Sequence, residues 1–152
     1  MAISSKIYKA RLNIADMDRH VYADHNLTVA CHPSETESRM MLRILAFAIH
    51  AGEALEFGRG ISTDDEPDLW RKDLTGEVEL WIDLGTPDES RIRKACGRAG
   101  EVVLYCYGDR AVPTWWEKIR NNLSRFDNLQ VYQLADEQCE ALEGLAATGM
   151  DL

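Results

Sequence analysis

Residues 78–107 read VELWIDLGTPDESRIRKACGRAGEVVLYCY. An apolar run, VELWIDLG, is followed by Thr86-Pro87-Asp88-Glu89, a helix-start pattern with Thr86 as cap, proline at the first helical position and glutamate at the third. The helix is expected to run to about Ala99 before Gly100, and EVVLYCY then forms a nearly continuous apolar strand. A third helix over roughly 110–125, a strand at NLQVYQL and a last helix from Asp136 to about 147 continue the alternation. Strand–helix–strand–helix order calls for parallel neighbours joined by crossovers in this part of a sheet.

Upstream, the pattern changes. Residues 3–14 and 20–31 partly alternate apolar and polar side chains on either side of ADMDR, the pattern of a hairpin. His32-Pro33 stops the second strand. Ser34-Glu35-Thr36-Glu37 matches a capping box, and Met41, Ile44, Leu45 and Ala48 then line one helical face up to about Gly52. ALEFGRGI reads as a short strand, STDDEP as an acidic loop, and DLWRKD and VELWIDLG flank LTG as a second hairpin. The expectation is one mixed α/β domain over residues 1–152, an α+β mixed sheet with an N-terminal β-hairpin.

Composition bounds the function. With 45% apolar and 28% charged residues the chain is that of a folded globular protein rather than a disordered one. No run approaches the 18 or so apolar residues of a membrane-spanning helix, so no membrane partner and a cytoplasmic location are expected. The 17 basic against 26 acidic residues give a net charge of −9, which opposes non-specific duplex binding driven by cations displacing counterions. Cys31, Cys96, Cys106 and Cys139 are far apart and read as small buried hydrophobes. His20, His25, His32 and His50 lack helical zinc-site spacing.

The chemistry-bearing stretch is DEPDLWRKDLTGEVELWIDLG, residues 65–85. If LTG is the turn, antiparallel pairing places Asp83 across from the Glu66–Asp68 region. Adjacent carboxylates repel and are stabilised together by a bridging divalent cation, so Mg²⁺ or Mn²⁺ is the expectation. The alternative is a solvated loop, Asp64 to Asp68, beside an acid that marks a strand end. Glu35, Arg39 and Arg43 follow one another at four-residue steps; Glu35 reads either as an acid overhanging the sheet or as a first-turn complement to the helix dipole. Arg91, Lys94 and Arg98 form one basic stripe, which suits a phosphate backbone or an ordinary solvated face.

HPSETESRMMLRILAFA, DDEPDLW, LWIDLG with Pro87, RIRKAC and the Trp115-Trp116 pair, in that order, resemble the bacterial YaeQ family along essentially the whole chain. The resemblance implies a restriction-endonuclease-like PD-(D/E)XK core with Mg²⁺-binding acids and a nuclease-like activity on DNA or RNA. It also implies roles. Pro67-Asp68 stands for the first motif acid, and Asp83-Leu84-Gly85 for the acid-x-lysine triplet. Asp68 and Asp83 would hold metal with help from Glu35, and Lys94 or Arg91 would supply the cation missing at Gly85. A non-catalytic descendant that binds nucleic acid or protein is the alternative reading. The family also implies a further strand pair beyond Leu152.

Overall fold

The computed structural model describes residues 4–60, 63 and 65–152. These form two compact units: the described residues up to 51 together with 140–152, and those from 52 to 139.

In the first unit β1 (Lys6–Asp16) and β2 (Val21–Cys31) form the expected antiparallel hairpin, in register from Lys6 opposite Cys31 to Asp16 opposite Val21. Tyr8, Ala10 and Leu12 are buried at alternate positions, the period of a strand with one covered face. The helix α1 (Glu37–Ile49) contacts β2, and His25 meets the Phe47 ring edge-on at 5.3 Å. A short strand, written here as β8 (Gly149–Asp151), runs parallel to β1 and gives the order β2-β1-β8.

The second unit carries the alternation read from residues 78–107. Its sheet has the order β3-β4-β5-β6-β7, from β3 (Leu55–Phe57), β4 (Leu69–Lys72), β5 (Val78–Leu84), β6 (Ala99–Tyr107) and β7 (Leu129–Leu134). The β3–β4 and β4–β5 pairs are antiparallel, whereas β5–β6 and β6–β7 are parallel. Helices α2 (Glu89–Arg98) and α3 (Ala111–Leu123) contact β6. Trp81, Ile92, Ala95, Val102, Leu104, Cys106, Val112 and Leu123 form the apolar core between them. The helix α4 (Asp136–Glu143) follows β7. Each sheet is therefore mixed, and no helix among the described residues is long and apolar enough to cross a membrane.

Several boundaries differ from the sequence reading. Thr36, not Ser34, caps α1, its Oγ1 accepting from the Arg39 amide at 3.1 Å. Ser34 is drawn into a turn with His32, whose Nδ1 accepts from the Ser34 amide at 3.1 Å. Asp88, not Thr86, caps α2, accepting from the Arg91 amide at 2.8 Å. Gly100 is already inside β6; there a Cβ would lie only 3.2 Å from the Glu79 carbonyl oxygen, so glycine serves a close strand approach rather than a helix stop. The α4 helix ends four residues early, and β8 had no counterpart in the reading. The ALEFGRGI strand shrinks to three residues because Gly58 and Gly60 turn to donate to the carbonyls of Asp68 and Pro67; its last residue, Ile61, lies outside the described residues.

Candidate functional site

The β4–β5 hairpin sets the site. Its turn is closed by Asp73, whose Oδ1 accepts from the amides of Thr75 and Glu77 and from the Thr75 hydroxyl, while Gly76 takes φ +90°. These bonds hold the Asp73 carboxyl below its ordinary range, the Thr75 hydroxyl contributing most. A bulge between Arg71 and Lys72 then shifts the register by one residue. Leu69 pairs with Ile82, so the next residues out, Asp68 and Asp83, meet at the strand ends. The Asp68 amide donates to Asp83 Oδ1 at 3.3 Å, and the Leu84 amide donates to Asp68 Oδ2 at 2.9 Å. Both aspartates are 2% exposed.

Trp81 and Asp83, two residues apart on β5, point to the same face of the sheet. This is the face that packs Trp81 with Ile92 and Ala95 of α2. The Trp81 indole donates to Asp83 Oδ2 at 3.0 Å. From the first turn of α2, Arg91 reaches back with a two-pronged contact: Nε to Oδ2 at 2.8 Å and Nη2 to Oδ1 at 3.1 Å. The same guanidinium donates to the carbonyls of Thr63 and Glu66, tying the acidic loop to the strand end. Gly60 presses on the other aspartate, since a Cβ at its φ of +47° would overlap Asp68 Oδ1.

A carboxylate has about four acceptor positions. At Asp83 four N–H donors fill them: two from Arg91, one from Trp81 and one from the Asp68 backbone. The charge partner of this buried acid is thus a guanidinium, and no acceptor position remains directed at a metal. As arranged, Asp83 does not fit the expected Mg²⁺ or Mn²⁺. Among the described residues no group of three or more His, Cys, Asp or Glu side chains is placed to hold a metal.

Glu35, the third expected ligand, belongs to the first unit and is also committed to arginine. Its Oε2 accepts from Arg39 Nη1 at 2.8 Å and Arg43 Nε at 3.0 Å, and its Oε1 accepts from Arg43 Nη2. Its side chain is 1% exposed. Beside it, the buried Cys31 thiol is pushed up by burial and then by the Glu35 charge. Of the other cysteines, Cys106 and Cys139 are buried and Cys96 half-buried, and none of the four is in a disulfide.

The basic stripe is divided. Arg91 turns inward to Asp83. Arg98 lies over the Trp81 ring at 5.4 Å and donates to the Asp65 carbonyl. Lys94 is exposed on α2. The structure therefore brings Asp68, Asp83 and Arg91 together, with Arg91 rather than Lys94 as the cation. The sequence reading had missed the Trp81 indole as a fourth member, although its i, i+2 spacing from Asp83 was a visible signal. It had also missed Gly60. Asp64, part of the expected acidic loop, lies outside the described residues.

Gly85 occupies the position where the resemblance calls for lysine. Its φ is +97°, a left-handed conformation that L side chains rarely adopt. A Cβ there would have room, its nearest neighbour being the Tyr107 ring at 3.7 Å. Backbone conformation, not crowding, disfavours lysine there.

The YaeQ protein family model matches residues 1–152. This chain belongs to the YaeQ family. It is 48% identical to the "Uncharacterized protein YaeQ" of Escherichia coli (strain K12) over 153 residues, all of this chain and 84% of that protein. The Salmonella typhi protein of the same name matches to the same extent. Among solved structures, the YaeQ protein from Xanthomonas axonopodis pv. citri superimposes with a TM-score of 0.93 at 55% identity, covering 97% of this chain and 84% of that one. The YaeQ protein from Pseudomonas syringae gives 0.91 at 37% identity, covering 97% and 81%.

Proposed function

We propose that this YaeQ family chain is a non-catalytic protein on a nuclease-like core, acting as a regulator that binds another protein. The observation that carries this reading is the saturation of Asp83 by N–H donors, with the Arg91 fork where a catalytic metal would be needed. Gly85 supports it, because the triplet lysine is replaced at a backbone conformation that disfavours any side chain. A protein partner is preferred to nucleic acid because Arg91 is committed inward to Asp83 and the chain carries −9 net charge.

Metal-dependent phosphodiester hydrolysis is the second reading, favoured by the meeting of Asp68 and Asp83 at one sheet end. Purified protein is incubated with labelled single- and double-stranded DNA and RNA plus Mn²⁺. The expected result is no cleavage above the level of Asp68→Ala and Asp83→Ala variants. Cleavage by the wild type that disappears in both variants, each shown to be folded by circular dichroism, would restore the enzyme.

A further inference from the structure

The two edges of the five-stranded sheet are built differently. At one edge β3 is three residues long, contains Glu56 and runs into Gly58-Arg59-Gly60. Shortness, charge and a glycine break are the usual means of blunting an edge. At the other edge β7 is six residues, LQVYQL, with no charge and no proline. It pairs without a bulge along β6, from Leu129 opposite Val102 to Leu134 opposite Tyr107. Among the described residues no strand covers its outer side. An uncharged, unbulged edge of this length is a template for one more strand.

Beside that edge a groove of about 480 Å³ is lined by Trp116, Leu123, Phe126, Leu129, Val131 and Arg120. Leu129 and Val131 are half-buried toward it, while Gln130 and Tyr132 alternate outward and Tyr132 stacks on Tyr105 at 5.6 Å. Trp116 remains 37% exposed. Among the described residues Arg120 is the one charged side chain lining the groove, and Arg125 lies over the neighbouring Phe126 ring at 4.9 Å. A basic spot beside an apolar groove, in a chain of net charge −9, calls for a carboxylate from the occupant.

We infer that β7 and this groove dock an extended segment of a partner protein. The segment adds a strand to β7, places apolar side chains at alternate positions into the groove, and sets an aspartate or glutamate against Arg120. A second copy of this chain is the poorer occupant, because two-fold pairing of β7 would set one Arg120–Arg125 groove beside another, like charge against like. The groove is built from α3, β7 and the turn between them, none of which touches Asp83, so the docking stands or falls separately from the role of that residue.

The test is selection of a displayed random heptapeptide library on the intact protein, followed by fluorescence anisotropy with the enriched peptides. Alternating apolar residues with at least one acid should be enriched. Their affinity should fall at least about tenfold in Val131→Asp and in Arg120→Glu, and replacing the peptide acid by lysine should restore binding to Arg120→Glu. No enrichment, or equal binding to the wild type and both variants, would overturn the proposal. So would a dimer in sedimentation equilibrium that Val131→Asp dissociates, since that would identify the occupant as a second copy.

Discussion

Arg91 grips Asp83 with both prongs of its guanidinium, 2.8 Å from Nε to Oδ2 and 3.1 Å from Nη2 to Oδ1, at side-chain exposures of 17% and 3%. A planar fork matched to a carboxylate is a task for arginine that lysine cannot repeat. Removing one partner of such a buried pair leaves the other charge uncompensated, at a cost of about 3–5 kcal/mol. Asp83→Asn and Arg91→Met should each lower the unfolding free energy by roughly that amount in urea titrations. The double variant should lose clearly less than the sum, the signature of coupling.

Gly85 provides a test of the backbone separately from the side chain. Any L residue at φ +97° is strained, which costs about 1–3 kcal/mol. Since a Cβ meets nothing closer than 3.7 Å, Gly85→Ala and Gly85→Lys should destabilise equally. Thermal unfolding compares them. A Gly85→Lys protein as stable as the wild type would show that the backbone there adapts, and that the triplet position is open to lysine after all.

Alkaline stability follows from two groups on β6. Burial pushes the Cys106 thiol up to about 12 and the Tyr105 phenol up to about 12. Both pKa values are raised on folding, so their stabilising contributions are complete below the unfolded values of 9 and 10. They are lost as pH rises toward 12, because the unfolded chain releases protons that the native chain retains. At about 1.4 kcal/mol per pKa unit, Cys106 alone removes up to roughly 4 kcal/mol across that window. Cys106→Val should flatten the fall in stability between pH 9 and 12, as followed by urea midpoints.

Glu35 gives the parallel prediction in the first unit. With Arg39 and Arg43 both donating to a side chain 1% exposed, Glu35→Gln should cost about 2–4 kcal/mol. A loss below about 1 kcal/mol, measured by chemical denaturation, would mean that the three groups relax apart without penalty.

The approach of Asp83 to the Glu66–Asp68 region was legible because the turn fixes hairpin register to within a residue or two. Pairing counted outward from Lys72 opposite Val78 would set Asp68 opposite Ile82; the bulge between Arg71 and Lys72 moves the register by one residue, carrying Leu69 to Ile82 and the aspartates to each other. The choice of Arg91 over Lys94 was not legible. Residues three apart on a helix differ by about one sixth of a turn, and which one reaches back depends on the phase at which α2 meets the sheet. That phase shifted when Asp88 rather than Thr86 became the cap. Glu35 was misread for a related reason. With α1 beginning at Glu37, Glu35 precedes the helix and can hold both Arg39 and Arg43, whereas a helical glutamate would reach mainly its i+4 partner. Finally, β8 is too short to show any periodicity, and its pairing with β1 across most of the chain length exists only in the folded molecule.

The central claim is that arginine, not a metal, is the counter-ion of Asp83. Isothermal titration of the wild-type protein with Mn²⁺ near neutral pH tests it directly, with Asp83→Asn and Arg91→Met in parallel. The account predicts no saturable heat from the wild type. Stoichiometric binding by the wild type that Asp83→Asn abolishes would contradict it.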